Sequence, residues 1–160
     1  MKKILITGGA GFVGSNTAIY FAKKGWSIYL VDNLSRKGTK NNLNNLKRNI
    51  KFKFYKVDVS NFSLISNLIK KIKPNLLIHC AGQVAVTTSV LDPRKDLNSN
   101  VLGTFNVLES IRLYSMKTKL INMSTNKVYG KINDKKITEG KKRYNFLGKI
   151  KNVDEKCPLD

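Results

Sequence analysis

Three groups of residues near the start of the chain could do chemistry together. Thr7, Gly8, Gly11 and Gly14 fall in the spacing TGxxGxxG. Gly8 permits a tight turn out of a preceding strand, Gly11 lets backbone touch a diphosphate with no side chain between, and Gly14 lets a following helix lie close on a sheet. The diphosphate would sit on the unpaired N–H groups at the helix start. Asp32 follows Gly14 by 18 residues, where a carboxylate can accept both hydroxyls of an adenosine ribose. A 2′-phosphate would be repelled by that carboxylate, so NAD rather than NADP is expected. Arg36 could cradle such a phosphate, contact a bound nucleotide, or stand as a solvated loop residue. The plainer alternative, glycines that only turn the chain, is disfavoured because a strand pattern precedes them and a helix pattern follows.

Those residues need elements to hold them. Ile4–Ile6 reads as a short buried strand. Residues 11–24 place Val13, Ala18, Phe21 and Ala22 on one helical side and stop at Gly25. Ser27–Val31 is the next strand, 33–49 a polar loop with a short helix, and Phe52–Val57 a third strand. Leu64, Ile65, Leu68, Ile69 and Ile72 form the stripe of an amphipathic helix over 60–73, ended by Pro74. Leu76–Ile78 is the fourth strand, and 94–115 repeats the helical stripe through Leu97, Val101, Phe105, Leu108 and Ile111. Leu120–Met123 is the fifth strand. Alternating βαβα with continuous apolar strands implies an α/β fold, a doubly wound parallel sheet in three layers, α/β/α. After Gly130 the pattern dissolves, and 131–156 predict loop with at most a short helix. The organisation expected is a dinucleotide-binding domain over 1–130 and a loop-rich tail over 131–160.

Composition narrows the function. The 160 residues carry a net charge of +20, which raises nucleic-acid binding as a reading. But Lys outnumbers Arg 25 to 5, and Asn (18) and Ile (14) are abundant too. Those are residues of A/T-rich codons, and scattered lysines at helix ends complement the helix dipole. Arg, which reads bases and phosphates by bidentate contact, is scarce. No nucleic-acid partner is therefore expected. Cys80 and Cys157 lack any metal-ligand or disulfide spacing and His79 is the lone histidine, so no metal site and a reducing, cytoplasmic setting are expected. No apolar run approaches the roughly 18–20 residues of a membrane helix. The opening MKKILITGG breaks too early at Gly8 for the h-region of a signal peptide.

TGGAGFVGS, DNLSRKG, CAGQVAVTTS, NVLGT and STNKVYG occur here in one order. Together they resemble the extended short-chain dehydrogenase/reductases, the NAD-dependent epimerase/dehydratase family acting on nucleotide sugars. Residues 1–130 match well and 140–160 loosely. DNLSRKG, AGQVAVTTS and STNKVYG look most like members that act on CDP-linked hexoses, the last two being the more specific part. The resemblance implies a Rossmann-type fold, NAD, a nucleotide-sugar substrate and a homo-oligomer. It also implies roles for particular residues. Phe12 and Val13 would lie against the pyrophosphate, joining Gly8, Gly11 and Gly14. Asp32 and Asn33 would hold the adenosine ribose, with Ser35 and Arg36 beside them. Asp58 would accept from the adenine amino group and Val59 would pack nearby. Cys80, Ala81, Gly82 and Gln83 would border the nicotinamide half, with Asn100 below its ribose. Thr125 would take the place of the catalytic Ser/Thr, with Ser124 next to it. Plainer roles exist as well: Asp58 as a helix cap near Ser60, Asn100 as a surface polar residue, Thr125 and Ser124 as loop residues. His79 is expected to be a packed, hydrogen-bonded strand end rather than an acid or base.

One departure matters. The family's Tyr-x-x-x-Lys pair would be expected just past Asp154–Asp160, and the only such spacing present is Tyr20 to Lys24 on the first helix. That pair would lie away from the nicotinamide and is rejected as catalytic. The chain is thus expected to be the N-terminal portion of a longer enzyme, inactive alone, with apolar surface exposed on the sheet and on helix 94–115 and poor solubility. The alternatives are another nucleotide-sugar epimerase, dehydratase or decarboxylase of the same family, or a non-catalytic NAD-binding fragment.

Overall fold

The computed structural model describes residues 1–125, 128–129, 137–147, 154–155 and 157. It divides the chain into two units, Met1–Met123 and Ser124–Asp160.

In the first unit, β1 (Lys3–Thr7), β2 (Ser27–Asp32), β3 (Lys53–Lys56), β4 (Leu76–His79) and β5 (Lys119–Asn122) form one sheet in the order β3-β2-β1-β4-β5. Each adjacent pair is parallel. Consecutive residues of β1 feed opposite faces. Ile4 and Ile6 join Ala18, Ile28, Leu30, Leu46 and Ile78 beneath α1 (Phe12–Lys23) and α2 (Thr39–Asn49). Leu5 joins Val31, Leu77, Val107 and the stripe Ile65, Leu68, Ile69 and Ile72 of α3 (Phe62–Ile72). The expected three layers and both-face burial are therefore present. Burying these side chains contributes about 1.5–3 kcal/mol each relative to exposure, before the opposing loss of chain entropy.

Three expectations change. A helix that was not expected, α4 (Val86–Leu91), precedes the helix read over 94–115, which is present as α5 (Pro93–Asp96), a π-helical turn (Leu97–Leu102) and α6 (Gly103–Tyr114) in succession. Asp92 caps α5 by accepting from the Lys95 N–H at 2.9 Å, and Pro93 opens it. Helix α4 buries none of its residues, so it leaves no apolar stripe for periodicity to find. In the second unit, where loop or a short helix was expected, Ile137–Glu139 (β6) and Tyr144–Phe146 (β7) pair antiparallel. The rest of the 131–156 tail lies largely outside the described residues. Asp58 does not cap α3. Asn61 does, accepting from the Leu64 N–H at 3.1 Å, while Asp58 folds its own turn onto Ser60.

Helix α6 presents Phe105 and Leu108 to solvent at 59% and 47% exposure. Tyr20 and Lys24 meet as a cation–π pair at the C-terminal end of α1, the opposite end from the glycine turn.

Candidate functional site

The register carries Thr7, Val31 and His79 to one level at the C-terminal edge of the sheet, with Asp32 one residue beyond. Strand order reverses between β1 and β4, and the crevice at such a point is where doubly wound sheets bind ligands. A cleft of about 590 Å³ opens there.

The turn after β1 is built for close approach. Gly8 has φ +63°, and a Cβ on it would come within 2.7 Å of the Ala81 nitrogen. A Cβ on Gly14 would meet the Gly8 carbonyl oxygen at 2.3 Å. Helix α1 thus starts hard against the turn. Its N-cap is Gly11, with no side chain capping it and no acidic residue in the first turn. The first-turn N–H groups have no intrahelical partner, and the helix dipole favours an anion there.

Asp32 is only 8% exposed. One carboxylate oxygen accepts from the Ala10 N–H at 3.0 Å and the other from the Leu34 N–H at 2.8 Å. Each oxygen keeps a lone pair for a further donor. Asn33 donates to Asp58 at 2.7 Å, and the other Asp58 oxygen accepts from the Ser60 N–H and hydroxyl at 2.9 and 2.7 Å. Burial opposes ionisation of Asp58, but the hydrogen bonds from Asn33 and Ser60 outweigh it and hold the carboxyl below its ordinary range.

On the other side of the crevice, Asn100 in the π-helical turn accepts from the Gln83 N–H at 2.8 Å and donates to the Gln83 carbonyl at 3.1 Å. The cleft wall after β4 is therefore fixed from below. His79 is buried and bridges Thr7, at 2.6 Å from Nδ1, to Thr104, at 3.2 Å from Nε2. The Thr7 hydroxyl accepts from the Ala81 N–H at 3.4 Å. It is therefore assigned as donor to Nδ1, leaving Nε2–H to donate to Thr104. Burial lowers the His79 pKa to about 4, so the ring is a neutral strut near pH 7. Burial also pushes the Cys80 thiol up to about 11.

Of the residues singled out from sequence, Gly8 and Gly11 line the cleft in the middle, Asp32, Asn33, Ser35, Arg36, Asp58 and Val59 line it beyond β2 and β3, and Cys80, Ala81, Gly82 and Gln83 line it beyond β4. Phe12 and Val13 line no part of it and are 81% and 45% exposed. Gly14 and Asn100 support it from behind. Ser124 and Thr125 open the second unit, where both are exposed. Sequence reasoning missed Thr88, Arg94 and Lys95, which also line the cleft. It missed Asn106 as well, a buried side chain that donates to the Val59 and Ser60 carbonyls at 3.0 and 2.9 Å. Asn106 sits on the buried face of α6 with Gly103, Val107 and Ser110, off the stripe of Phe105 and Leu108 that faces solvent, so the apolar pattern gave no signal for it.

Among the described residues no group of His, Cys, Asp and Glu could hold a metal ion, and no helix is long and apolar enough to cross a membrane.

Residues 5–145 match the family model described as GDP-mannose 4,6 dehydratase. The chain is 43% identical over 158 residues to the CDP-paratose 2-epimerase of Salmonella typhi, covering 99% of this chain and 47% of that protein. It is 40% identical over 132 residues to the dTDP-D-glucose 4,6-dehydratase of Dictyostelium discoideum, covering 81% of this chain and 30% of that one. Among solved structures, the Thermus thermophilus UDP-glucose 4-epimerase in complex with NAD superposes with a TM-score of 0.73 at 27% identity, over 99% of this chain and 44% of that one. The chain thus spans less than half the length of these relatives.

Proposed function

The chain belongs to the GDP-mannose 4,6 dehydratase family of nucleotide-sugar epimerases and dehydratases, and on that premise we propose that it is the cofactor-binding portion of an NAD-dependent epimerase of the CDP-paratose 2-epimerase type. The observation that carries the reading is the cleft at the strand-order reversal, with the glycine turn at its floor and Asp32 and Asp58 on one wall. The identity to the Salmonella enzyme over nearly the whole chain supports a CDP-linked hexose as substrate.

The residues present fit a dinucleotide. At Gly8 and Gly14 an added Cβ would collide with backbone, so this turn is bare main chain; the N–H groups of Gly9, Ala10 and Gly11 are taken by Val31, Asp32 and Gly8, and those of the first turn of α1, from Phe12 on, are the ones to offer a diphosphate. The two lone pairs left on Asp32 suit the vicinal hydroxyls of a ribose, and the Asp32 charge opposes a 2′-phosphate there, although Arg36 and Lys37 also line the cleft. Asp58, held ionised by Asn33 and Ser60, suits an exocyclic amino group, and Val59 gives that end an apolar surface. Cys80 to Gln83 border the nicotinamide half on this reading.

NAD, when bound, supplies a hydride acceptor and then a donor for one carbon of the sugar. On this reading the exchange would invert that carbon with no net redox change. The chain's own residues bind and orient. The helix start neutralises the diphosphate, Asp32 fixes the adenosine ribose, and Asn100 holds Gln83 in place. By its match to the family's motif, Thr125, with Ser124 beside it, is the candidate for the catalytic Ser/Thr. The base that takes that proton needs a pKa near the working pH. The family's Tyr-Lys pair does not occur after Thr125 in these residues, so on this reading they bind NAD without epimerising, and a second copy of the whole enzyme is the expected partner.

Calorimetric titration of the folded chain with millimolar NAD tests the reading. Saturable heat that Asp32→Ala abolishes supports it. No heat from the wild-type chain, or heat indifferent to Asp32, overturns it. Epimerisation of a CDP-hexose by these 160 residues alone would overturn the need for the Tyr-Lys pair.

A further inference from the structure

We propose that Asp96 is a positioning residue that latches the loop after β4 for the nicotinamide half of the dinucleotide. This rests on the NAD reading above.

Packing cannot hold the wall of the cleft here. Helix α4 buries none of its residues, and its Val86, Val90 and Leu91 are 61%, 74% and 86% exposed. What ties it down is Ser89, whose hydroxyl reaches an Asp96 oxygen at 2.7 Å and the Ala85 carbonyl at 3.2 Å. The hydroxyl has one proton, and the shorter, charge-assisted contact takes it. The same Asp96 oxygen accepts from the Asn100 amide nitrogen at 3.1 Å. One carboxylate oxygen thus joins α4 to the π-helical turn.

The second bond does more than tie. An Asn amide can turn over, exchanging its oxygen and nitrogen. With its NH₂ drawn to Asp96, Asn100 must aim its oxygen at the Gln83 N–H, at 2.8 Å. Its nitrogen also serves the Gln83 carbonyl at 3.1 Å. Both backbone groups of Gln83 are then satisfied by one side chain. Turned over, the NH₂ would face the Gln83 N–H, donor against donor. Gly82 allows this closeness: a Cβ on it would lie 3.0 Å from the Asn100 oxygen. Asp96 does not line the cleft, so it acts through Asn100 on Gln83, while Asp32 and Asp58 serve the opposite half.

The test compares binding of NAD and ADP to the full chain, since ADP lacks the nicotinamide riboside. Asp96→Leu removes the acceptor and is expected to weaken NAD about tenfold, with ADP unchanged within about twofold. Asp96→Asn keeps one oxygen acceptor and is expected to restore NAD binding to within about threefold of wild type. Ser89→Ala, which releases only α4, weakens NAD roughly two- to threefold. Unchanged NAD affinity in Asp96→Leu or in Ser89→Ala, equal loss of both ligands, or no rescue by Asp96→Asn overturns the latch. If wild-type chain fails to bind NAD, the proposed function fails, and the latch is judged on the ligand-free chain. There, Gln83 amide exchange about tenfold faster in Asp96→Leu supports it, and unchanged exchange overturns it.

Discussion

Replacing Asp32 by alanine separates what the carboxylate does for the fold from what it does for a ligand. Its two oxygens accept from the backbone of the glycine turn, at Ala10, and of the following loop, at Leu34. The Ala10 N–H is buried and would find no water, so losing its acceptor costs about 1–3 kcal/mol. The Leu34 N–H is partly exposed and would recover most of its bond from solvent, costing about 0.5–1 kcal/mol. Urea unfolding should therefore show Asp32→Ala less stable by about 2–4 kcal/mol. Asp32→Asn keeps one oxygen acceptor and should lose roughly half of that. Two ribose hydroxyl bonds to a charged acceptor contribute about 1.5–3 kcal/mol each, so NAD affinity measured on the folded fraction should fall at least about 100-fold in Asp32→Ala. A variant as stable as wild type would show that the turn does not lean on the carboxylate. A stable variant that binds NAD within about threefold of wild type would refute the ribose assignment itself.

Other outcomes follow from neighbouring geometry. Gly14→Ala would set a Cβ 2.3 Å from the Gly8 oxygen and 2.8 Å from Gly9 Cα. Neither backbone atom can yield cheaply, so a loss of about 3 kcal/mol or more is expected by urea unfolding, against a milder loss for Gly11→Ala, whose Cβ would meet only the Gly8 oxygen at 3.1 Å. His79 stays neutral in the fold down to about pH 4 against an ordinary value of 6.5. The unfolded chain therefore binds the extra proton first, and stability should fall by about 3 kcal/mol as pH drops from roughly 6.5 to 4; His79→Asn should flatten the unfolding midpoint across that window. With its pKa near 11, Cys80 should be thiolate in only about one molecule in a thousand at pH 8. Mass spectrometry after iodoacetamide treatment should show it alkylated about a hundredfold more slowly than in unfolded chain, and more slowly still with NAD bound.

The sheet was legible because each strand is flanked by a helix of its own period. Ile65, Leu68, Ile69 and Ile72 recur at helical spacing and all are buried, and Ile4–Ile6 is buried throughout. The helix over 94–115 was legible in outline, but α4 and the π-helical turn inside that helix were not. Helix α4 buries nothing, α5 is four residues long, and the wide turn at Leu97–Leu102 shifts the phase of the stripe. A pattern method reads burial, and these elements are held by Ser89, Asp92, Asp96 and Asn100 instead. The β6–β7 hairpin escaped because its six residues are nearly all exposed, leaving no alternation of apolar and polar faces to read.

The site divides along the same line. Gly8, Gly14 and Asp32 are readable because their demands are local: a positive φ, a close approach, a carboxylate at a strand end. Asn106 and Asn100 answer non-local demands. Asn106 satisfies two carbonyls 46 and 47 residues away, and Asn100 satisfies a loop 17 residues away. Nothing around either position in sequence states which backbone groups need a partner. Yet the same physics makes them inferable in principle. An amide turned to the inner face of a helix must lose water on folding, so it stays there only where unpaired backbone meets it. In a doubly wound sheet, that backbone is the set of loops leaving the strand ends. The stretch from Asn100 to Asn106 therefore carries supports for both walls of one cleft, one beneath Gln83 and the other beneath Val59. A substitution at either Asn should move ligand affinity while leaving every cleft-lining side chain intact.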